Sequence, residues 1–146
     1  MTEAIAHYNL LERIGEGALG EVYRARDTKF GRTVALKVVK ADALEGGARA
    51  AFLDDARTAA TLSHPNIATL FDVGEYDEGC YLAYEFAQGI TLGQEISGRP
   101  VNPRRVVELA VQIADALADG HAQGIIHTPA RTLPSRIEMR PSRPKK

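Results

Sequence analysis

The sequence has little of what several common kinds of site are built from. Among 146 residues there is one cysteine, Cys80. A single thiol excludes an internal disulfide framework and a cysteine-cluster metal centre. A reducing, cytoplasmic setting is the expectation. The four histidines, His7, His64, His121 and His127, are scattered, so no histidine metal site is expected. No apolar run approaches the roughly 18 residues that a membrane-spanning helix needs, so no membrane segment is expected. Met1 to Ala6 carries Glu3 and no basic residue, which does not read as a signal peptide. What is present is ordinary: 45% hydrophobic and 25% charged residues, the balance of a soluble globular chain with room for one domain.

Charge is distributed unevenly. Residues 128–146 hold six basic side chains against Glu138, close to +5, while the rest of the chain is close to −6. The same segment holds four of the seven prolines. Few large apolar residues with much Pro, Arg and Ser is the composition of disorder. A basic tail can meet acidic surfaces, but no specific nucleic-acid binding is expected. Arg- and Pro-rich sequence is also what a shifted frame in a GC-rich gene yields, so a truncated reading is carried as an expectation.

Periodicity predicts strands over Tyr8–Ile14, Glu21–Arg26 and Thr33–Val39, joined by short turns as an antiparallel meander. A helix is predicted over Ala48–Leu62, stopped by His64-Pro65-Asn66. Two more strands, Ile67–Val73 and Tyr81–Phe86, flank an acidic turn over Gly74–Gly79. A short helix follows Thr91, and Pro103 opens a longer one to about His121.

Four features carry chemistry. Gly15, Gly17 and Gly20 form a G-x-G-x-x-G turn. A dinucleotide-binding fold needs a helix after such glycines, and here Glu21-Val22-Tyr23-Arg24-Ala25 alternates like a strand. A strand–loop–strand element can still lay backbone N–H groups against phosphates. Lys37 follows Val34-Ala35-Leu36 in a strand, with the small Ala35 on its face. Asp55 falls within a helical arc drawn through Phe52, Ala56, Ala59 and Leu62, where a carboxylate needs a partner; Lys37 is the available cation. Tyr81 to Gly89 runs from a strand into an irregular segment with backbone groups to offer a heterocycle.

Together these features resemble the small lobe of a eukaryotic-type (Hanks-type) protein kinase of the bacterial serine/threonine kind. Gly15 to Val22 is similar to the kinase glycine-rich loop, and Val34-Ala35-Leu36-Lys37 to the third-strand lysine motif. His64-Pro65-Asn66-Ile67 resembles the turn after helix αC, Tyr81–Gly89 the gatekeeper and hinge, and 104–127 the helix leading to the catalytic loop. The resemblance covers about residues 8 to 127. It implies an α+β fold: a five-stranded antiparallel sheet with helix αC over 8–88, a hinge and one or two helices of an incomplete large lobe over 89–127, then the tail 128–146. It implies ATP as ligand, with Ile14, Gly15, Gly17, Gly20, Val22, Ala35, Lys37, Tyr84, Glu85 and Ala87 around it, Mg²⁺ as the family's metal, and Asp55 as the acid that pairs with Lys37.

Two departures bear on activity. Asp55 is shorter than the family's glutamate by one carbon–carbon bond, about 1.5 Å. After His127 the chain reads Thr128-Pro129-Ala130-Arg131, where the family has Arg-Asp and then Asn. The Asp-Phe-Gly motif is also absent. Those groups accept the substrate proton and hold the metal ions, so the chain alone is expected to be inactive, as a pseudokinase-like module or a fragment. The helix over 103–121 is apolar around most of its circumference, and a protein partner is expected to cover it.

Overall fold

The computed structural model describes residues 3–17, 19–44 and 47–126. Six strands form one antiparallel sheet: β1 (Ala4–Ile5), β2 (Tyr8–Gly17), β3 (Gly20–Asp27), β4 (Arg32–Lys40), β5 (Leu70–Tyr76) and β6 (Gly79–Glu85), in the order β1-β2-β3-β4-β6-β5. A 3-10 turn (Ala41–Leu44) and helix α1 (Ala48–Ala59) lie between β4 and β5; α2 (Leu92–Ile96) and α3 (Pro103–Ala122) follow β6. The expected five strands become six because Ala4–Ile5 adds a short edge strand against Tyr8–Asn9.

The meander forms as the alternation predicts, with two corrections. Strand β2 runs through the first glycines to Gly17, pairing Gly15 with Val22 and Gly17 with Gly20. The expected strand 67–73 instead spans Leu70–Tyr76, so Gly74 lies within β5. That glycine leaves room for a neighbour: a Cβ there would come within 2.4 Å of the Tyr81 hydroxyl. The chain reverses at Asp77-Glu78 instead of across the whole of Gly74–Gly79.

Strand β4 is buried on both faces, from Val34 to Val39. One face packs Val34, Leu36 and Val38 with Ile5, Tyr8, Ala25, Tyr81 and Ala83. Register irregularities at Leu11 and Ile14 bend β2, and Leu10 packs against this cluster. The other face packs Val39, Cys80 and Leu82 with Leu44, Leu70 and the α1 residues Phe52, Leu53 and Ala56. Arg49 fixes the start of α1 to the β5–β6 hairpin, at 2.8 Å from Glu75 and donating to the Gly79 carbonyl at 2.6 Å.

The later helices are capped as their sequences suggest. The Thr91 hydroxyl accepts from the Gln94 N–H and the Gln94 side chain accepts from the Thr91 N–H, a reciprocal cap for α2. Asn102 caps α3 with Pro103 in the first turn. Helix α3 ends with Ile125 N–H donating to the Gly120 carbonyl and Gly124 N–H to His121, with Gly124 left-handed at φ 76.

Candidate functional site

Residues directly opposite in an antiparallel ladder share a face, so the register lays out the site. Gly15 pairs with Val22, Val22 with Lys37 and Lys37 with Leu82, one row across four strands. The neighbouring rows are Gly20–Val39–Cys80 and Arg24–Ala35–Tyr84. Glycine hairpin, lysine, Val22, Ala35 and Tyr84 therefore come to one face.

Lys37 is the unusual member of this face. It is 4% exposed, and no ion pair or hydrogen bond to it exists among the described residues. Burial pushes its amino group below the ordinary lysine range, with Cys80 opposing slightly. A desolvated charge without a counter-charge is costly. The geometry therefore leaves a cation able to receive an anionic group.

The structure does not bring Asp55 to Lys37. Asp55 is exposed, and no carboxylate among the described residues contributes to the environment of the lysine. The correction lies in the helical arc. The buried positions of α1 are Phe52, Leu53 and Ala56. Counting Leu53 rotates the apolar arc about 100° from Phe52, which leaves Asp55 beyond its opposite edge.

The three glycines serve different ends. A Cβ on Gly20 would lie 1.9 Å from the Val38 carbonyl oxygen, so close strand approach requires glycine there. At Gly15 and Gly17 an added Cβ would meet nothing nearer than 3.9 Å. Packing within the described protein does not demand glycine at those two, which fits a cradle that a Cβ would partly fill. Ile14, half-buried, sits at a register irregularity beside them.

At the far side of the face, the Tyr84 hydroxyl is buried with no hydrogen-bond partner among the described residues. Burial pushes its phenol well above the ordinary range. Glu85 ends β6, its N–H donating to the Thr69 carbonyl at 2.8 Å. Ala87 lies past the strand and makes no backbone–backbone bond among the described residues. This segment can offer backbone groups to a flat, polar-edged ligand. No group of three or more His, Cys, Asp or Glu residues that could hold a metal exists among the described residues.

Several contributors had no hydrogen-bonding role assigned from the sequence. Asp72 accepts from the hydroxyls of Tyr8 at 2.9 Å and Tyr81 at 3.2 Å. Asp27 is fully buried and accepts from the Lys29 and Phe30 N–H groups and from Arg32; an Asp opening a turn was the available signal. His64 Nε2 lies 3.1 Å from Asp115, and Asn66 donates to the Gln112 carbonyl at 3.2 Å, clasping α3 to the loop after α1. Arg13 bridges Glu16 and Glu21 across the glycine hairpin. Its signal was two acids flanking the turn with one arginine three residues upstream.

This small, curled antiparallel sheet with one packed helix, a lysine row under a glycine hairpin and a helical continuation defines the class. The chain matches the protein kinase domain family over residues 8–129 and belongs to it. It is 39% identical over 126 residues to a probable serine/threonine-protein kinase of Streptomyces coelicolor, covering 82% of this chain and 19% of that protein. It is 34% identical to the serine/threonine-protein kinase PrkC of Bacillus subtilis, again over 82% of this chain and 19% of the relative. The chain thus spans about a fifth of the length of these curated relatives. The crystal structure of the Mycobacterium tuberculosis PknI kinase domain superposes with a TM-score of 0.72 at 29% identity, covering 84% of this chain and 50% of that one. The family is that of bacterial Hanks-type serine/threonine kinases. No helix among the described residues is long and apolar enough to cross a membrane.

Proposed function

We propose that the chain is the ATP-binding part of a serine/threonine kinase and that, alone, it binds nucleotide without transferring phosphoryl groups. In this reading residues 8–88 are the small lobe, 89–127 the hinge and partial large lobe, and 128–146 the basic tail, in a cytoplasmic setting. The observation that carries it is the buried Lys37, without a partner among the described residues, in one row with Val22 and Gly15. Lys37 would hold the α- and β-phosphates, with Gly15, Gly17 and Gly20 over them. Ile14, Val22 and Ala35 would take the adenine faces, Tyr84 the back of the site, and Glu85 and Ala87 the adenine edge. ATP supplies the transferable γ-phosphoryl group when bound.

The residues for the rest of the chemistry do not fit. Thr128-Pro129 stands where the family has Arg-Asp, and no acid cluster among the described residues would take Mg²⁺. Asp55, exposed and away from Lys37, is proposed as its partner only if α1 moves inward.

A fluorescent ATP analogue titrated into the full chain tests the binding. Micromolar binding that Lys37→Met abolishes supports it, and no binding by the unaltered chain overturns it. Because Lys37 is desolvated and has no counter-charge among the described residues, Lys37→Met should leave the thermal midpoint of the free chain unchanged or raised. A γ-phosphate transfer assay on the same sample should read nothing above background. A second reading, a regulatory module that docks a protein on α3, is favoured by Val106, Val107 and Val111, all exposed.

A further inference from the structure

The glycine hairpin carries an ionic device on the face turned away from Lys37. Glu16 and Glu21 are directly opposite in the β2–β3 ladder. Facing like charges destabilise a strand pair. Arg13 resolves the conflict: its Nη1 lies 2.8 Å from Glu21 Oε1, and its Nη2 donates to Glu16 Oε2. Tyr23 donates its hydroxyl to the second Glu21 oxygen at 2.9 Å. The register irregularity between Arg13 and Gly15 is what lets Arg13 share a face with Glu16 three residues on. Tyr23 packs on the Leu36 and Val38 cluster, so the four side chains sit outside the cradle.

We infer that Arg13 is a positioning residue: by bridging Glu16 and Glu21 it holds the glycine hairpin closed in the shape that cradles phosphates. The consequence for nucleotide rests on the ATP-binding reading above; the hairpin effect does not. Arg13 is not among the residues placed around the nucleotide. It acts through the backbone of Gly15 and Gly17, which pair with Val22 and Gly20 on either side of the facing Glu16–Glu21 pair. The arginine is half-exposed and the bridge is surface ionic, so its removal should open the hairpin and leave the sheet core folded.

Amide hydrogen exchange on the full chain tests this, comparing the segment 14–22 with β4 and β6 as internal reference. Arg13→Gln should speed exchange of 14–22 about threefold and leave β4 and β6 unchanged, the scale expected of one facing like-charge pair. Adding Glu16→Gln to Arg13→Gln should restore the original rate, because the defect is repulsion and not a missing contact. An unchanged rate in Arg13→Gln, or a defect that Glu16→Gln fails to repair, overturns the inference. In parallel, Arg13→Gln should weaken ATP about threefold and leave adenosine, which lacks phosphates, unaffected. An equal loss for both ligands would mean general loosening and overturn the positioning role. If the unaltered chain binds neither ligand, the ATP-binding reading falls while the exchange result still decides the bridge.

Discussion

The sheet and the long helix use similarly apolar sequence and treat it in opposite ways. Strand β4 hides consecutive residues from Val34 to Val39, because the curled sheet covers one face and α1 the other. Helix α3 hides Leu109, Ala116 and Gly120 and leaves Val107 and Val111 each 62% exposed. Among the described residues, Leu109 and Ala116 are the only buried apolar side chains beyond Glu85. Hydropathy is therefore a demand that only neighbouring layers can meet. The sheet has two such layers, whereas α3 has the His64–Asn66 loop along one side.

The largest test of that contrast is a pair of truncations. Leu82 is fully buried under α1, so Leu82→Ala should cost about 2–5 kcal/mol in urea denaturation. Val107→Ala also trims an aliphatic side chain, at an exposed position, and should change stability by less than about 0.5 kcal/mol. Equal costs would show that α3 is packed in solution and would erase the contrast. A second, smaller effect comes from backbone crowding. Gly20→Ala puts a methyl group against the Val38 carbonyl and should cost about 1–3 kcal/mol, while Gly17→Ala, with open space, should cost much less.

A third prediction sharpens the picture of the sheet's far end, where Asp27 sits. Burial opposes its ionisation, yet the Phe30 N–H, the Arg32 guanidinium and the Lys29 N–H outweigh that and hold its carboxyl below the ordinary value of 3.8. A depressed folded value gives stability that is complete above the unfolded carboxyl range and is lost as pH falls through the folded one. The chain should therefore lose stability in acid below about pH 4, and Asp27→Asn should flatten that limb. Asp27→Ala strands three donors and should cost about 1–3 kcal/mol at pH 7.

Most of the fold was legible because its signals are local. Alternation marked β3 and β4, and Pro103 marked the start of α3. The grouping of lysine, hairpin and hinge segment came from the family resemblance, and the register that puts Lys37, Val22, Ala35 and Tyr84 on one face is seen only in the ladder. The misreadings share one cause: they depend on what lies across space. Leu53 counts toward the arc of α1 because Leu44 and Leu70 meet it in one cluster, and that moved Asp55 outward. Gly74 read as a turn because its use, making room for the Tyr81 ring, depends on a residue seven positions away. The Arg13 bridge needs a register irregularity that no periodicity shows.

The smallest prediction concerns the seam between the two regions. His64 accepts the Asn66 N–H at Nδ1, 3.1 Å away, which leaves its Nε2 proton for Asp115. Asp115 is largely exposed, so the pair is worth at most about 1 kcal/mol. Asn66 still holds the Gln112 carbonyl without it. His64→Ala should therefore shift the midpoint of the sheet only marginally. It should speed amide exchange in α3, whose docking depends on few other contacts, and leave β4 unchanged. A coequal rise in β4 would mean that sheet and helix unfold as one unit, and the difference in burial would then carry no difference in local stability.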